Sequence, residues 1–249
     1  MLPLRSESTL QFTLAPFQAI DLSASIDAIL HIKLTKFPSN EVFAVITGGF
    51  ASTVEGGVAF VDLTPHYNTL KEQTSPPSVK VIATNVEQPE GIILSPTSPS
   101  IAYIGGIKSD NLGIIDFSDP SNPIVLDERD DYGAQLVGAK KSDQPFESNL
   151  NPNYVILAQW GVTGGAMVLD CTDSSNPEIV SETGWFHSLS LSYSNRVKLY
   201  HDLILLPLEQ PIGGFATIKL EDDGELGDVQ YEHYPIGEID EGDDDIVDR

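Results

Sequence analysis

Residues 114–123 read IIDFSDPSNP and residues 168–177 read VLDCTDSSNP, one phrase written twice at a spacing of 54. Asp116 aligns with Asp170, and Asn122-Pro123 with Asn176-Pro177. Working outward, GGVAFVDLTP (56–65) is a third copy, and GGFATIKLED (213–222) a weaker one with Lys219 at the aspartate position. A further trace, FQAIDLSAS (17–25), places Asp21 there. Asp21, Asp62, Asp116, Asp170 and Lys219 are 41, 54, 54 and 49 residues apart. A period in this range marks an array of one supersecondary unit, so the repeat governs how every other residue is read.

Each anchor closes a short run of Val, Ile, Leu and Phe, the composition of a strand. A second apolar run precedes it: VFAVITGG (42–49), IAYIGG (101–106), YVILAQWG (154–161) and LILLPL (203–208). Ahead of those stand AILHIKL (28–34), GIILSP (91–96), AQLVGAK (134–140) and SLSLSYS (188–194). Behind the anchors follow VKVIAT (79–84), PIVLDE (123–128), PEIVSE (177–182) and VQYEHY (229–234). Four strands in a repeat of about 50 residues, with no amphipathic helical pattern, predict an all-β fold. The expected architecture is a β-propeller of four-stranded antiparallel blades, a single domain over 1–236 followed by an acidic tail at 237–249. Five blades is the leading count, with 8–25 completing the last blade or adding a partial fifth. Four blades, or an incomplete ring, are the alternatives.

The repeated phrase has a mechanical reading. Asp119-Pro120 supplies the first position and a proline-fixed second position of a type I turn. Asn122, ahead of Pro123, is pushed to extended geometry where the outer strand begins. Proline at the start of an edge strand also blunts that edge. Asp116 therefore reads first as a turn or cross-blade acceptor and second as a functional carboxylate.

GIIDFSDPSNPIVL (113–126) and AMVLDCTDSSNPEIV (166–180) resemble the repeats of the LVIVD-repeat β-propeller family, an apolar run, an aspartate and a DPxNP turn. The match is partial at 58–65, which lacks the Asn-Pro, and departs at Lys219. The resemblance implies a propeller that is extracellular or at the cell surface, in a family without shared catalytic residues to carry over.

The 249 residues carry 37 Asp and Glu against 13 Lys and Arg, a net charge of −24. That balance argues against nucleic acid or an anionic membrane as partner and suits a medium rich in salt or cations. Hydrophobic residues make up 41% of the chain, enough for a globular core. No run approaches the roughly 18 apolar residues of a membrane span. The start, MLPLRSESTL, has no apolar signal-peptide core, so the protein stays where it is made or a leader has been removed. Cys171 is the single cysteine and excludes an intrachain disulfide. It fills the slot of Phe117 and Leu63 in the sister repeats, which favours a small buried side chain over a reactive thiol.

Up-and-down strands bring the loops between second and third strands to one end, together with the loops between blades. The former are 47–57, 105–111, 159–165 and 208–214; the latter are 85–91, 128–133 and 183–188. This end gathers Trp160, Trp185, Tyr132, His187, Glu87, Glu90, Asp130, Asp131 and Glu209. Aromatics and carboxylates on one rim suit a carbohydrate or protein partner, or a cation. The competing reading packs the tryptophans between blades and leaves the acids solvated. GxSxG, HExxH and phosphate-loop signatures are missing, and the five histidines lack ligand spacing. A non-catalytic binding or scaffold module is the leading expectation, and a carbohydrate-active hydrolase with funnel carboxylates the alternative. No cofactor is implied. The tail GEIDEGDDDIVDR (237–249) fails the EF-hand spacing, so a solvated acidic terminus is the expectation there and weak, diffuse calcium binding the alternative.

Overall fold

Among the described residues, each strand pairs with its neighbour in the chain. The computed structural model describes residues 28–49, 56–67, 78–87, 89–106, 111–129, 135–141, 151–160, 165–183, 197–208 and 214–233. The first sheet contains β1 (Ala28–Lys36), β2 (Val42–Gly49), β3 (Gly56–Asp62) and β4 (Val79–Thr84). The second contains β5 (Pro89–Leu94), β6 (Ile101–Gly106), β7 (Leu112–Asp116) and β8 (Ile124–Arg129). The third contains β9 (Gln135–Lys141), β10 (Tyr154–Trp160), β11 (Gly165–Asp170) and β12 (Glu178–Glu182). The fourth contains β13 (Lys198–Tyr200), β14 (Leu203–Leu208), β15 (Gly214–Leu220) and β16 (Leu226–His233). In all four, spatial order equals chain order and every pairing is antiparallel. The described residues thus form an all-β fold of four four-stranded sheets. Among the described residues the one helix is α1 (Thr64–Tyr67), a single turn after β3.

Burial grades across each sheet. All six residues of β6 are buried, as are the first four of β7 and the first five of β11. The outer strand β8 leaves Ile124, Val125 and Leu126 exposed. Central strands covered on both faces read as continuous apolar runs, which is why IAYIGG and AMVLD lack alternation.

The sheets stack through three apolar interfaces. Phe43, Val45 and Phe60 of the first meet Ile92, Ile104 and Phe117 of the second. Ile101, Tyr103 and Leu112 of the second meet Val155, Met167 and Cys171 of the third. Tyr154, Ile156 and Val168 of the third meet Leu199, Ile204 and Ile218 of the fourth. Along the inner edge, β5 lies against both β1 and β9. Polar bonds stitch the same interfaces. Tyr103 donates from its hydroxyl to the Ser174 carbonyl at 2.9 Å, and Tyr154 to that of Asp223 at 2.8 Å. Thr97 donates to the Cys171 carbonyl, and Arg129 to that of Pro177 at 2.7 Å. Every one of these acceptors lies in or beside the turn of the following sheet. The repeated turn therefore shapes its own sheet and serves as the handle by which the preceding sheet holds it.

The fourth sheet differs from expectation in its first strand. SLSLSYS (188–194) lies outside the described residues, and Lys198–Tyr200 fills that place. Val197 and Leu199 are buried while Lys198 and Tyr200 face out, a period-2 pattern too short to outscore the serine–leucine alternation. The trace at 17–25, the segment 8–25 and the tail 237–249 also lie outside the described residues.

Candidate functional site

The two ends of the sheets are built from different chemistry. At one end sit the turns after β3, β7 and β11. Asp62 accepts the Thr64 amide at 2.9 Å, Asp116 that of Ser118 at 2.7 Å, and Asp170 that of Thr172 at 2.8 Å. Asp119 and Asp173 repeat the device on Ser121 and Ser175, each at 3.0 Å. The Asn122 and Asn176 amides then close the turns onto the Asp119 and Asp173 carbonyls. The recurring aspartates are turn acceptors, as their spacing predicts. The Ser175 hydroxyl and amide hold the Asp173 carboxyl below its ordinary value.

The fourth sheet solves the same corner differently. Lys219, in the aspartate slot, forms an ion pair with Glu221 at 2.8 Å, both ends exposed. A hairpin turn follows, with the Gly224 amide bonded to the Glu221 carbonyl and that of Glu221 to the Glu225 carbonyl. Gly224 has φ +89°, and a Cβ there would lie 2.8 Å from Val180 and 2.9 Å from the Tyr154 ring. Glycine is required twice over, by backbone and by packing.

Cys171 is fully buried at the interface of the second and third sheets. Burial pushes its thiol up to about 12, against a smaller lowering from Tyr103. It is a core residue, inert as a nucleophile.

The other end collects the loops expected to carry recognition. Strand register puts Gly49 opposite Gly56, Gly106 beside Pro89, and Trp160 beside Gln135, so the β2–β3 loop, the start of β5 and the end of β10 share this end. Glu87 stands half-buried just before β5, and Glu90 lies in β5. Trp160 closes β10. Asp130, Asp131, Tyr132, Trp185, His187 and Glu209 lie outside the described residues. Asn85 donates its backbone and side-chain N–H groups to the Glu128 carboxylate, bracing the exit of the first sheet against β8. Neither residue was singled out from the sequence, since only the fold makes them neighbours. Below this rim the hydroxyls of Thr47 and Thr84 are buried without a hydrogen-bond partner. Among the described residues, no three His, Cys, Asp or Glu side chains converge as metal ligands.

At the turn end, a shallow groove of about 330 Å³ runs between the first two sheets, lined by Phe37, Pro38, Ser39, Glu41, Pro99, Ser100 and Ser118. Sequence reasoning passed over it because its walls come from turns that read as punctuation. The Ser/Pro-rich stretch SPTSPS (95–100) is the only signal it offers.

No protein-family profile matches the chain, and no curated protein matches it significantly. Among solved structures, a functionally unknown protein from Desulfotomaculum acetoxidans DSM 771 is similar at 10% identity and TM-score 0.39, over 82% of this chain and 70% of that one. A candidate 6-phosphogluconolactonase from Bacteroides fragilis NCTC 9343 is similar at 8% identity and TM-score 0.37, over 82% and 81%.

Proposed function

We propose that the chain is a β-propeller of the LVIVD-repeat kind acting as a non-catalytic binding or scaffold module. Its recognition face is the end that gathers the β2–β3, β6–β7, β10–β11 and β14–β15 loops, and its partner is a protein or a carbohydrate. One observation carries this reading: the turn end repeats its polar side chains and the loop end does not. Asp62, Asp116 and Asp170 perform one task at equivalent corners. The loops at 105–111, 159–165 and 208–214 are seven residues each and that at 47–57 eleven; each keeps a glycine pair, while their other residues differ, as surfaces free to specialise do. A fifth or partial fifth blade is supported by the repeat trace FQAIDLSAS (17–25) in the sequence. A cell-surface or extracellular setting follows from the resemblance, and the net charge of −24 suits it.

The test immobilises the full chain against a glycan array and a panel of extracellular proteins. Selective binding that Trp160→Ala or Trp185→Ala abolishes is the expected result. Turnover of a glycoside panel, lost on Asp131→Ala or Glu90→Ala, would replace this reading with a hydrolase. Binding that survives the rim substitutions and is lost on Phe37→Ala would move the site to the turn-end groove.

A further inference from the structure

The interfaces between sheets are not equivalent at the turn end. Between the second and third sheets the Tyr103 hydroxyl bonds to the Ser174 carbonyl, and between the third and fourth that of Tyr154 bonds to the Asp223 carbonyl. Both acceptors stand four residues past their anchors, Asp170 and Lys219, where the second sheet has Pro120. In the first sheet the register gives the places of Tyr103 and Tyr154 to Val45 and Phe43, which carry no hydroxyl. Among the described residues the first interface therefore lacks the tyrosine tie, and the turn-end groove lies there.

Its two walls are set before anything enters. The Phe37 amide donates to the Glu41 carbonyl at 2.8 Å and the Asn40 amide to the Phe37 carbonyl at 2.9 Å, with Asn40 at φ 71°. The Phe117 amide donates to the Ser100 carbonyl at 2.9 Å, and the Thr35 hydroxyl reaches the Pro99 carbonyl across the interface at 3.4 Å. Pro38 and Pro99 present exposed apolar rings, whereas Phe37 is only 8% exposed and offers little ring face. Glu41 is exposed, and the Ser39 hydroxyl donates to its Oε2 at 2.7 Å, which steadies the carboxylate and leaves Oε1 to accept from elsewhere. None of the lining residues is cationic. Lys36, next to Phe37, alternates with Thr35 and so belongs to the other face of β1.

We propose that this groove binds the cationic side chain of a protein partner, arginine by preference, with its stem along Pro38 and Pro99 and its head on the Glu41 carboxylate. Arginine joins an apolar stem to a planar, weakly hydrated head, which suits ring-lined walls beside a carboxylate. A preformed site spares part of the ordering cost of binding. Other occupants fit less well. An anion meets Glu41 and the field of a chain at −24, and an uncharged apolar residue would desolvate that carboxylate without pairing it. A sugar ring stacks on an open aromatic face, which Phe37 does not present. This site is at the opposite end of the sheets from the loop end and stands or falls independently of what that end binds.

The experiment titrates the full, isotope-labelled chain with acetyl-arginine amide at about 150 mM salt, where separated surface charges are largely screened, and follows the amide signals of Ser39, Ser100 and Ser118. Saturable shifts there, weakened about three- to fivefold by Glu41→Gln and unchanged by Glu178→Gln on the exposed edge of the third sheet, uphold the proposal. Acetyl-citrulline amide, which has the same shape without the charge, should bind more weakly by a similar factor. No saturable shift at tens of millimolar, equal weakening by the two substitutions, or equal binding of the citrulline probe overturns it. If Glu41→Gln moves the Phe37 and Asn40 amides before any titration, Pro99→Ala decides instead, since it trims one wall and keeps the carboxylate. Weaker binding of the arginine probe to that variant upholds the proposal, and unchanged binding overturns it.

Discussion

Gly224→Ala tests how tightly the hairpin of the fourth sheet is seated on the third. Its φ of +89° is hostile to a Cβ, which costs about 1–2 kcal/mol. The added methyl would also press on Val180 and Tyr154 at 2.8 and 2.9 Å. Overpacking of that kind costs about 1–3 kcal/mol, partly relieved as Val180 shifts. The sum is a loss of about 2–4 kcal/mol, or a fall in Tm of roughly 4–16 °C in a chain of this size. Gly227→Ala is the control. Its Cβ would sit at 3.4 Å from Lys219, without positive φ, and a glycine lost from the unfolded chain is worth about 0.4–1 kcal/mol in its favour. Urea melts of both variants give the comparison. Combining Gly224→Ala with Val180→Ala should recover about 0.5–1 kcal/mol relative to additivity, because the two groups compete for one space. If Gly224→Ala costs no more than Gly227→Ala, the turn is not clamped between Tyr154 and Val180, and the interlocking of third and fourth sheets is wrong.

Salt should raise Tm: the charge of −24 repels itself, and going from about 10 to 150 mM shortens the Debye length from roughly 30 to 8 Å. A flat salt series refutes that. Asp173, with its folded-state pKa depressed below 3.8, contributes stability that is fully present above that value and lost as pH falls through the folded pKa. The stability gap between the parent and Asp173→Asn should therefore close only in acid below pH 3.8, and a gap that closes near neutrality contradicts the Ser175 bonds. Cys171 should resist thiol reagents in the folded protein at neutral pH. Because its folded pKa of about 12 exceeds the unfolded 9.0, stability should fall as pH rises past 9.0. Rapid labelling of the native protein, or a Cys171→Ala variant with the same alkaline profile, would contradict the burial.

The sheet plan was legible because its determinants are local. Asp116-to-Ser118 and Asp119-to-Asn122 bonds close within three residues, so the phrase DFSDPSN states its own geometry. The sheet-to-sheet ties were not. Tyr103 and Tyr154 bond to backbone carbonyls of Ser174 and Asp223, and any residue supplies a carbonyl, so no side-chain pattern marks the partner. The three-residue strand Lys198–Tyr200 was hidden for a related reason: tertiary burial of Leu199, rather than a long alternation, holds it in place. The loop end was least legible, because beyond a recurring glycine pair its residues have no periodicity against which a departure shows. Asn85 and Glu128 meet there only once β4 and β8 are side by side.

The agreement of chain order with spatial order in every sheet bears on how the protein is made. A sheet such as β5–β8 draws all its strands from residues 89–129, so it closes its loops cheaply and can form as soon as that stretch leaves the ribosome. Each finished sheet then presents a bare apolar flank until its successor arrives. For the second sheet that flank is Ile101, Tyr103 and Leu112, waiting for Val155 and Met167 some forty residues later. Translational pauses between the end of one sheet and the central strands of the next, here between Arg129 and Val155, would lengthen the sticky interval. Codon choice along this gene is thus a variable on which its yield of folded protein depends.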